Sequence, residues 1–258
     1  MHTSIDDERP PQVTHSSPAA AREYTTQDAW SWSILHAQYR TRLMTNACEA
    51  FVEGYFALGL DSGRLEPMED LSLRLEQACG WRLRAVDGLV AHSQFVCSLR
   101  DRVFPVSWSL RPPSSLHFAP APDLFHDVMG HLPLLVNPTY TSFLAEYGAL
   151  GVESLGSSEV TEWLARLYWH TVETGLVRER GTVKVLGTAI ATSQSEWEHA
   201  GALQTSRRAF DLGAVFDCPN DDSKVQPCYF VLHTFDRLRT LLSEVRQHLA
   251  APSMADAL

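Results

Sequence analysis

The chain has 258 residues, 45% hydrophobic and 20% charged, with 31 Asp+Glu against 21 Lys+Arg, a formal net charge of −10. These proportions are those of an ordinary globular protein and exclude collagen-like, coiled-coil and wholly disordered readings. The acidic balance argues against nucleic acid as a partner, because phosphate binding needs a basic surface.

Residues 1–23 are rich in Ser, Pro, Ala and charge, with almost no large apolar side chain, and are expected to form a disordered leader. The opening MHTSIDDERPPQ has acids and prolines where a signal peptide needs basic and then apolar residues. No run of about 18 apolar residues is present, so no membrane span is expected and the cytoplasm is the expected compartment. One domain is expected over 24–250, followed by a tail at 251–258. The five cysteines, Cys48, Cys79, Cys97, Cys218 and Cys228, are scattered with no CxxC pair, which fits reduced thiols.

Helical patterning dominates. Thr25 or Thr26 can cap a helix carrying Trp30, Trp32, Leu35, Tyr39 and Leu43. Ala47 to Leu60 continues with Phe51, Tyr55 and Leu58, and Met68 to Ala78 with Leu71, Leu73 and Leu75. Phe104–Ser109 and Thr182–Leu186 are the strand candidates. The proline-punctuated stretch from Pro105 to Pro138 reads as irregular. Glu159 to Leu176 and Phe230 to Leu249 are the last long helices. The fold class predicted is mostly α with a small β component.

Within the irregular stretch, PDLFHDVMGHLPLL (122–135) places His126 and His131 five apart. Five residues of ideal α-helix turn through about 500°, leaving the two rings about 140° apart. They can share a metal if the helix ends near Gly130 and His131 turns back. The plainer reading is two ordinary histidines. Glu173 offers a third ligand, because it lies on a helical stripe with Ala165, Trp169 and Leu176, where an unpaired carboxylate is costly to bury. Pairing with an arginine is the plainer reading of Glu173. Two imidazoles and a carboxylate suit non-heme Fe(II), and zinc accepts the same set for hydrolysis.

Several motifs in order, PDLFHDVMGHLPLL, EWLARLYWHTVETGL (162–176), WRLRAVDGL (81–89) and VQPCYFV (225–231), resemble the pterin-dependent aromatic amino-acid hydroxylases. The resemblance runs from Tyr24 to about Leu249 and is to the short bacterial type, the catalytic domain alone, expected to be a monomer. It implies Fe(II) held by His126, His131 and Glu173. It also implies a tetrahydropterin, tetrahydrobiopterin or tetrahydromonapterin, with O2 and a free amino acid as the other small-molecule partners. Carried over position by position, Phe95 stacks on the pterin, with Val90, His92 and Asp127 beside it. Arg111 grips the substrate carboxylate, a task suited to a guanidinium fork. Ala119, Pro122, Trp169, Thr192 and Ser193 shape the amino-acid pocket.

The sequence also departs from the family pattern. Asp127 stands where Glu is common, Pro105 where many members have His, Ala119 replaces Thr, and His92 replaces a smaller residue. His170 and Thr174 replace aromatic residues beside the ligand positions, which predicts a wider or more polar pocket. Phenylalanine is the expected substrate, since Trp169 agrees with the phenylalanine and tyrosine hydroxylases. Para attack giving tyrosine is expected, with meta attack or tryptophan hydroxylation as alternatives. A zinc hydrolase leaves Phe95 and Arg111 unexplained, and an inactive binding protein has no use for three ligands.

Overall fold

The computed structural model describes residues 23–116, 122–220 and 224–250. The expected leader, apart from Glu23, and the expected tail lie outside the described residues. Helix α1 (Thr26–Asn46) starts at a capping box. The Thr25 hydroxyl accepts from the Asp28 N–H at 3.1 Å, and the Asp28 carboxylate accepts from the Thr25 N–H at 2.8 Å. It buries Trp32, Leu35, Tyr39 and Leu43 and leaves Trp30 half exposed. Next come α2 (Glu49–Ala57) and α3 (Met68–Cys79). In α3, Leu71 and Leu75, one turn apart, face the core while Leu73 faces out. Strand β1 (Arg82–Val86), helix α4 (His92–Arg100) and strand β2 (Val103–Ser107) form a βαβ unit, with the strands parallel and Arg82 opposite Val103.

The stretch from 105 to 138, expected to be irregular, contains an unbroken helical path. It runs through α5 (Leu124–His126), a π turn (Asp127–His131) and α6 (Leu132–Leu135). Pro133 does not end it. In α geometry the Met129 carbonyl would accept from residue 133, and proline has no N–H to give. The buried Tyr39 hydroxyl of α1 donates to that carbonyl instead, at 2.6 Å. On the other side, Gly54 of α2 admits the Pro133 carbonyl: a Cβ at position 54 would lie 1.7 Å from that oxygen.

Helix α7 (Pro138–Glu153) begins where the Asn137 side chain accepts from the Thr139 and Tyr140 N–H groups, with Pro138 in the first turn. It packs against α4. Helix α8 (Ser158–Tyr168), capped by Ser157, passes into a second π turn (Trp169–Glu173) and stops at Thr174, short of the expected Leu176. The remaining elements are β3 (Leu176–Glu179), β4 (Thr182–Val185), α9 (Thr188–Thr192), α10 (Gln194–Gly201), β5 (Ser206–Ala209), α11 (Leu212–Phe216), β6 (Cys228–Leu232) and α12 (Leu238–Ala250). The sheet order is β4-β3-β6-β5, with β3 and β4 antiparallel and the other pairs parallel.

The helix expected from Phe230 is therefore corrected in its first half. Tyr229 to Leu232 form a strand between two neighbours and are buried along its length. A strand covered on both faces reads as a continuous apolar run, which periodicity cannot separate from a buried helix. The buried apolar residues form one cluster reaching from α1 to α12. The fold is mostly α with a small β component, as expected.

Candidate active site

Each π turn ends on a predicted metal ligand. The i→i+5 bonding of a π turn stacks residues five apart, where an α-helix splays them. His126 and His131 thereby share a face, with ring centroids 5.0 Å apart. The expected break at Gly130 is absent, so π winding, and not a chain reversal, brings the two rings together. In the second π turn the Thr174 N–H donates to the Trp169 carbonyl at 2.8 Å, and Glu173 is turned toward the histidines.

His126 Nε2 and His131 Nε2 lie 3.2 Å apart. Glu173 sets Oε2 3.5 Å from the first nitrogen and Oε1 3.4 Å from the second. A cation about 2.1 Å from each donor would space neighbouring donors about 3.0 Å apart at right angles and about 3.4 Å at tetrahedral angles. The three side chains therefore fit a single metal ion of either geometry. Asp127 also comes within 4.8 Å of both histidines. Its Oδ2 accepts from the Ser107 N–H at the end of β2, at 2.6 Å, whereas Glu173, although its Oε2 accepts from Thr188, sets one oxygen within 3.5 Å of each imidazole. Glu173 is thus the better third donor.

The surrounding hydrogen bonds prepare these ligands. The Thr192 hydroxyl donates its one proton to the Thr188 carbonyl at 2.8 Å, so it accepts from His126 Nδ1 at 2.9 Å. That contact puts the His126 proton on Nδ1 and turns the Nε2 lone pair to the metal position. His131 is held by the Phe104 ring, 4.7 Å away between centroids. Thr188 donates to Glu173 Oε2 at 2.7 Å. Gly130 permits this docking of α9, since a Cβ there would sit 3.1 Å from Thr188 Cβ and 3.3 Å from Thr192 Cγ2.

Burial holds His126 down to about 4. Burial alone would raise Glu173, but His131, His126 and Thr188 outweigh it and hold the carboxyl down to about 2. A neutral imidazole and an ionised carboxylate are the forms that bind a metal. Burial pushes Asp127 up to about 7.

These groups open onto a cavity of about 680 Å³. Every predicted site residue among the described residues borders it; Ala119 lies outside the described residues. Val90, His92 and Phe95 are among its lining residues, and Phe95 meets Tyr168 edge to face at 5.4 Å. Pro105, Pro122, Trp169 and Ser193 are also in the lining. His170 and Thr174 are absent from the lining. The Thr174 hydroxyl donates to the Trp169 carbonyl at 2.8 Å, and His170 Nε2 faces the Cys218 carbonyl at 3.0 Å. The expectation that these two widen or polarise the pocket is thereby corrected.

Arg111 reaches the cavity already paired. Its Nε and Nη2 each donate to Asp123 at 2.8 Å, and its backbone N–H donates to the same carboxylate at 2.9 Å. Both side chains are buried. One edge of the guanidinium is thus spent on Asp123, and among the described residues no hydrogen bond is made by Nη1. Asp123 was not singled out in the sequence as a site residue, although an Asp three residues before His126 is a helix-cap signal: it also accepts from the His126 N–H at 3.0 Å. Thr188 and Gln226 were likewise missed. Gln226 Oε1 accepts from the Trp169 indole N–H at 2.9 Å, and the Gln226 backbone N–H donates to buried Glu196 at 3.1 Å.

A family model described as biopterin-dependent aromatic amino acid hydroxylase matches residues 8–255. The chain is 35% identical over 224 residues to a phenylalanine-4-hydroxylase of Chromobacterium violaceum, covering 86% of this chain and 74% of the relative. It is similar to a crystal structure of the Chromobacterium violaceum phenylalanine hydroxylase with bound iron(III) and 7,8-dihydrobiopterin. The TM-score is 0.81 and the identity 32%, over 93% of this chain and 90% of that one. A structure of that enzyme with iron and phenylalanine bound matches with TM-score 0.78 and 33% identity, over 90% and 82% of the two chains.

Proposed function

This chain belongs to the biopterin-dependent aromatic amino acid hydroxylase family, and from that premise we propose that it is an Fe(II)- and tetrahydropterin-dependent monooxygenase converting L-phenylalanine to tyrosine. The observation that carries the reading is the convergence of His126, His131 and Glu173 donor atoms, within 3.5 Å of one another, on a cavity that Arg111 also enters. Iron and pterin together supply the reduction of O2 that delivers an oxygen atom to the ring.

The protein's own work is binding, orientation and exclusion of water. Thr192 and Thr188 hold His126 and Glu173 in their ligating forms before metal arrives. The free end of Arg111 receives the substrate carboxylate, and Asp123 fixes where that end points. The amino acid then extends toward the ligand cluster along a wall made by Trp169, whose indole is tethered to Gln226. Phe95, with Val90, His92 and Asp127, takes the pterin. Para attack follows from the similarity to phenylalanine-4-hydroxylases; meta attack is the alternative outcome of the assay. The reading extends to a cytoplasmic monomer. Among the described residues no helix is long and apolar enough to cross a membrane.

Purified protein given Fe(II), tetrahydropterin, O2 and phenylalanine is expected to yield para-tyrosine, identified by chromatography against authentic para and meta isomers. Meta-tyrosine alone overturns the ring position. Turnover of tryptophan or tyrosine in place of phenylalanine overturns the substrate.

A further inference from the structure

We propose that Thr188 is a positioning residue that gives the two oxygens of Glu173 different jobs, holding Oε2 and leaving Oε1 as the stronger metal donor. The inference rests on the iron-site reading above and goes beyond it to a side chain outside the ligand set. Thr188 is the first residue of α9 and is fully buried. Its hydroxyl donates to Glu173 Oε2 at 2.7 Å. Its other polar neighbour, His131 Nε2, is 3.5 Å away and faces the ligand cluster. One hydroxyl carries one proton, and the short contact takes it.

The side chain is held there in three ways. Its Cβ packs over Gly130, where a methyl would come within 3.1 Å. As a β-branched residue it has few rotamers to choose from. Its carbonyl accepts from the Thr192 hydroxyl at 2.8 Å, the same hydroxyl that holds His126 Nδ1. Thr188 and Thr192, four apart and so on one face of α9, therefore brace two of the three ligands from a single short helix. A carboxylate oxygen that accepts a short hydrogen bond gives up donor strength to it. Glu173 Oε1, which faces His131 Nε2 at 3.4 Å and among the described residues has no hydroxyl against it, keeps its own.

The test compares wild type with Thr188→Val, Thr188→Ala and Thr188→Ser, using Co(II) as the probe of the site. Co(II) affinity is read by titration and coordination by the visible absorption of the loaded protein. Thr188→Val and Thr188→Ala are expected to bind Co(II) about 10- to 100-fold more weakly, the usual loss when a ligand's outer partner is removed. Their Co(II) spectrum is expected to change, while Thr188→Ser restores affinity and spectrum. Reading Val and Ala together prevents a packing fault in one variant from deciding the result. Wild-type affinity and spectrum in the folded Val or Ala variant overturn the inference, as does a Ser variant that behaves like Val. Failure of wild type itself to bind Co(II) or Fe(II) overturns the iron-site reading, a separate outcome.

Discussion

A guanidinium buried beside a cavity needs a partner before it can serve a ligand, and Asp123 is that partner for Arg111. Asp123→Ala leaves Arg111 buried and unpaired, and urea unfolding is expected to show a loss of about 3–5 kcal/mol. Asp123→Asn retains an acceptor and is expected to lose less. Burial alone would raise the Asp123 pKa, but its hydrogen bonds to Arg111 outweigh burial and hold it below the ordinary range. A carboxylate with a depressed folded pKa contributes stability above its unfolded value, about 3.9, and loses it as pH falls through the folded value. The advantage of wild type over Asp123→Asn should therefore be complete at pH 7 and shrink below about pH 4, read as urea midpoints. The cost of a carboxylate on an apolar stripe marked Glu173, whereas the spacing of His126 and His131 allowed a shared metal only with a break at Gly130 that the fold lacks, and the family resemblance joined the three as expected ligands. The Arg111–Asp123 pair was not legible, because eleven residues of proline-rich chain separate its members and no periodicity connects them.

At the scale of the element, the decisive feature is a helix that tolerates Pro133 and winds as a π turn through both histidines. Its open backbone acceptor, the Met129 carbonyl, is satisfied by Tyr39, ninety positions earlier in the chain. Tyr39→Phe is expected to cost about 1–3 kcal/mol, the penalty for a buried polar group left without a partner. With Pro133→Ala the chain regains an N–H at the position that would pair with Met129. The same Tyr39→Phe change should then cost less, and a double-mutant cycle in urea measures the difference. A capping threonine made α1, and leucine spacing made α3, readable from local sequence. The 124–135 helix was readable only as far as Gly130, because proline marks a break unless a distant hydroxyl replaces the lost donor. Strand β6 was misread for a related reason: Tyr229 to Leu232 become a strand only through pairing with β3 and β5.

For the whole molecule, the net charge of −10 surrounds a site whose recognised ligand is a zwitterion with no net charge near pH 7. Long-range steering therefore has little to act on, and in the proposed reading recognition falls to the short-range contact at Arg111. The kcat/KM for phenylalanine is expected to change less than about twofold between roughly 50 and 300 mM NaCl, with sedimentation showing a single copy throughout. A steep fall with salt would mean that attraction is spread over the surface. The amino-acid sequence by itself determined the mostly helical class, through local periodicity, and the family, through motifs that stand in order along the chain, and the resemblance named the three expected ligands. Only the tertiary structure decided how His126 and His131 come to face each other, which edge of Arg111 Asp123 occupies, and which hydroxyls brace His126 and Glu173. Those depend on hydrogen bonds between residues far apart in the chain, whose geometry exists only once the core has closed around them.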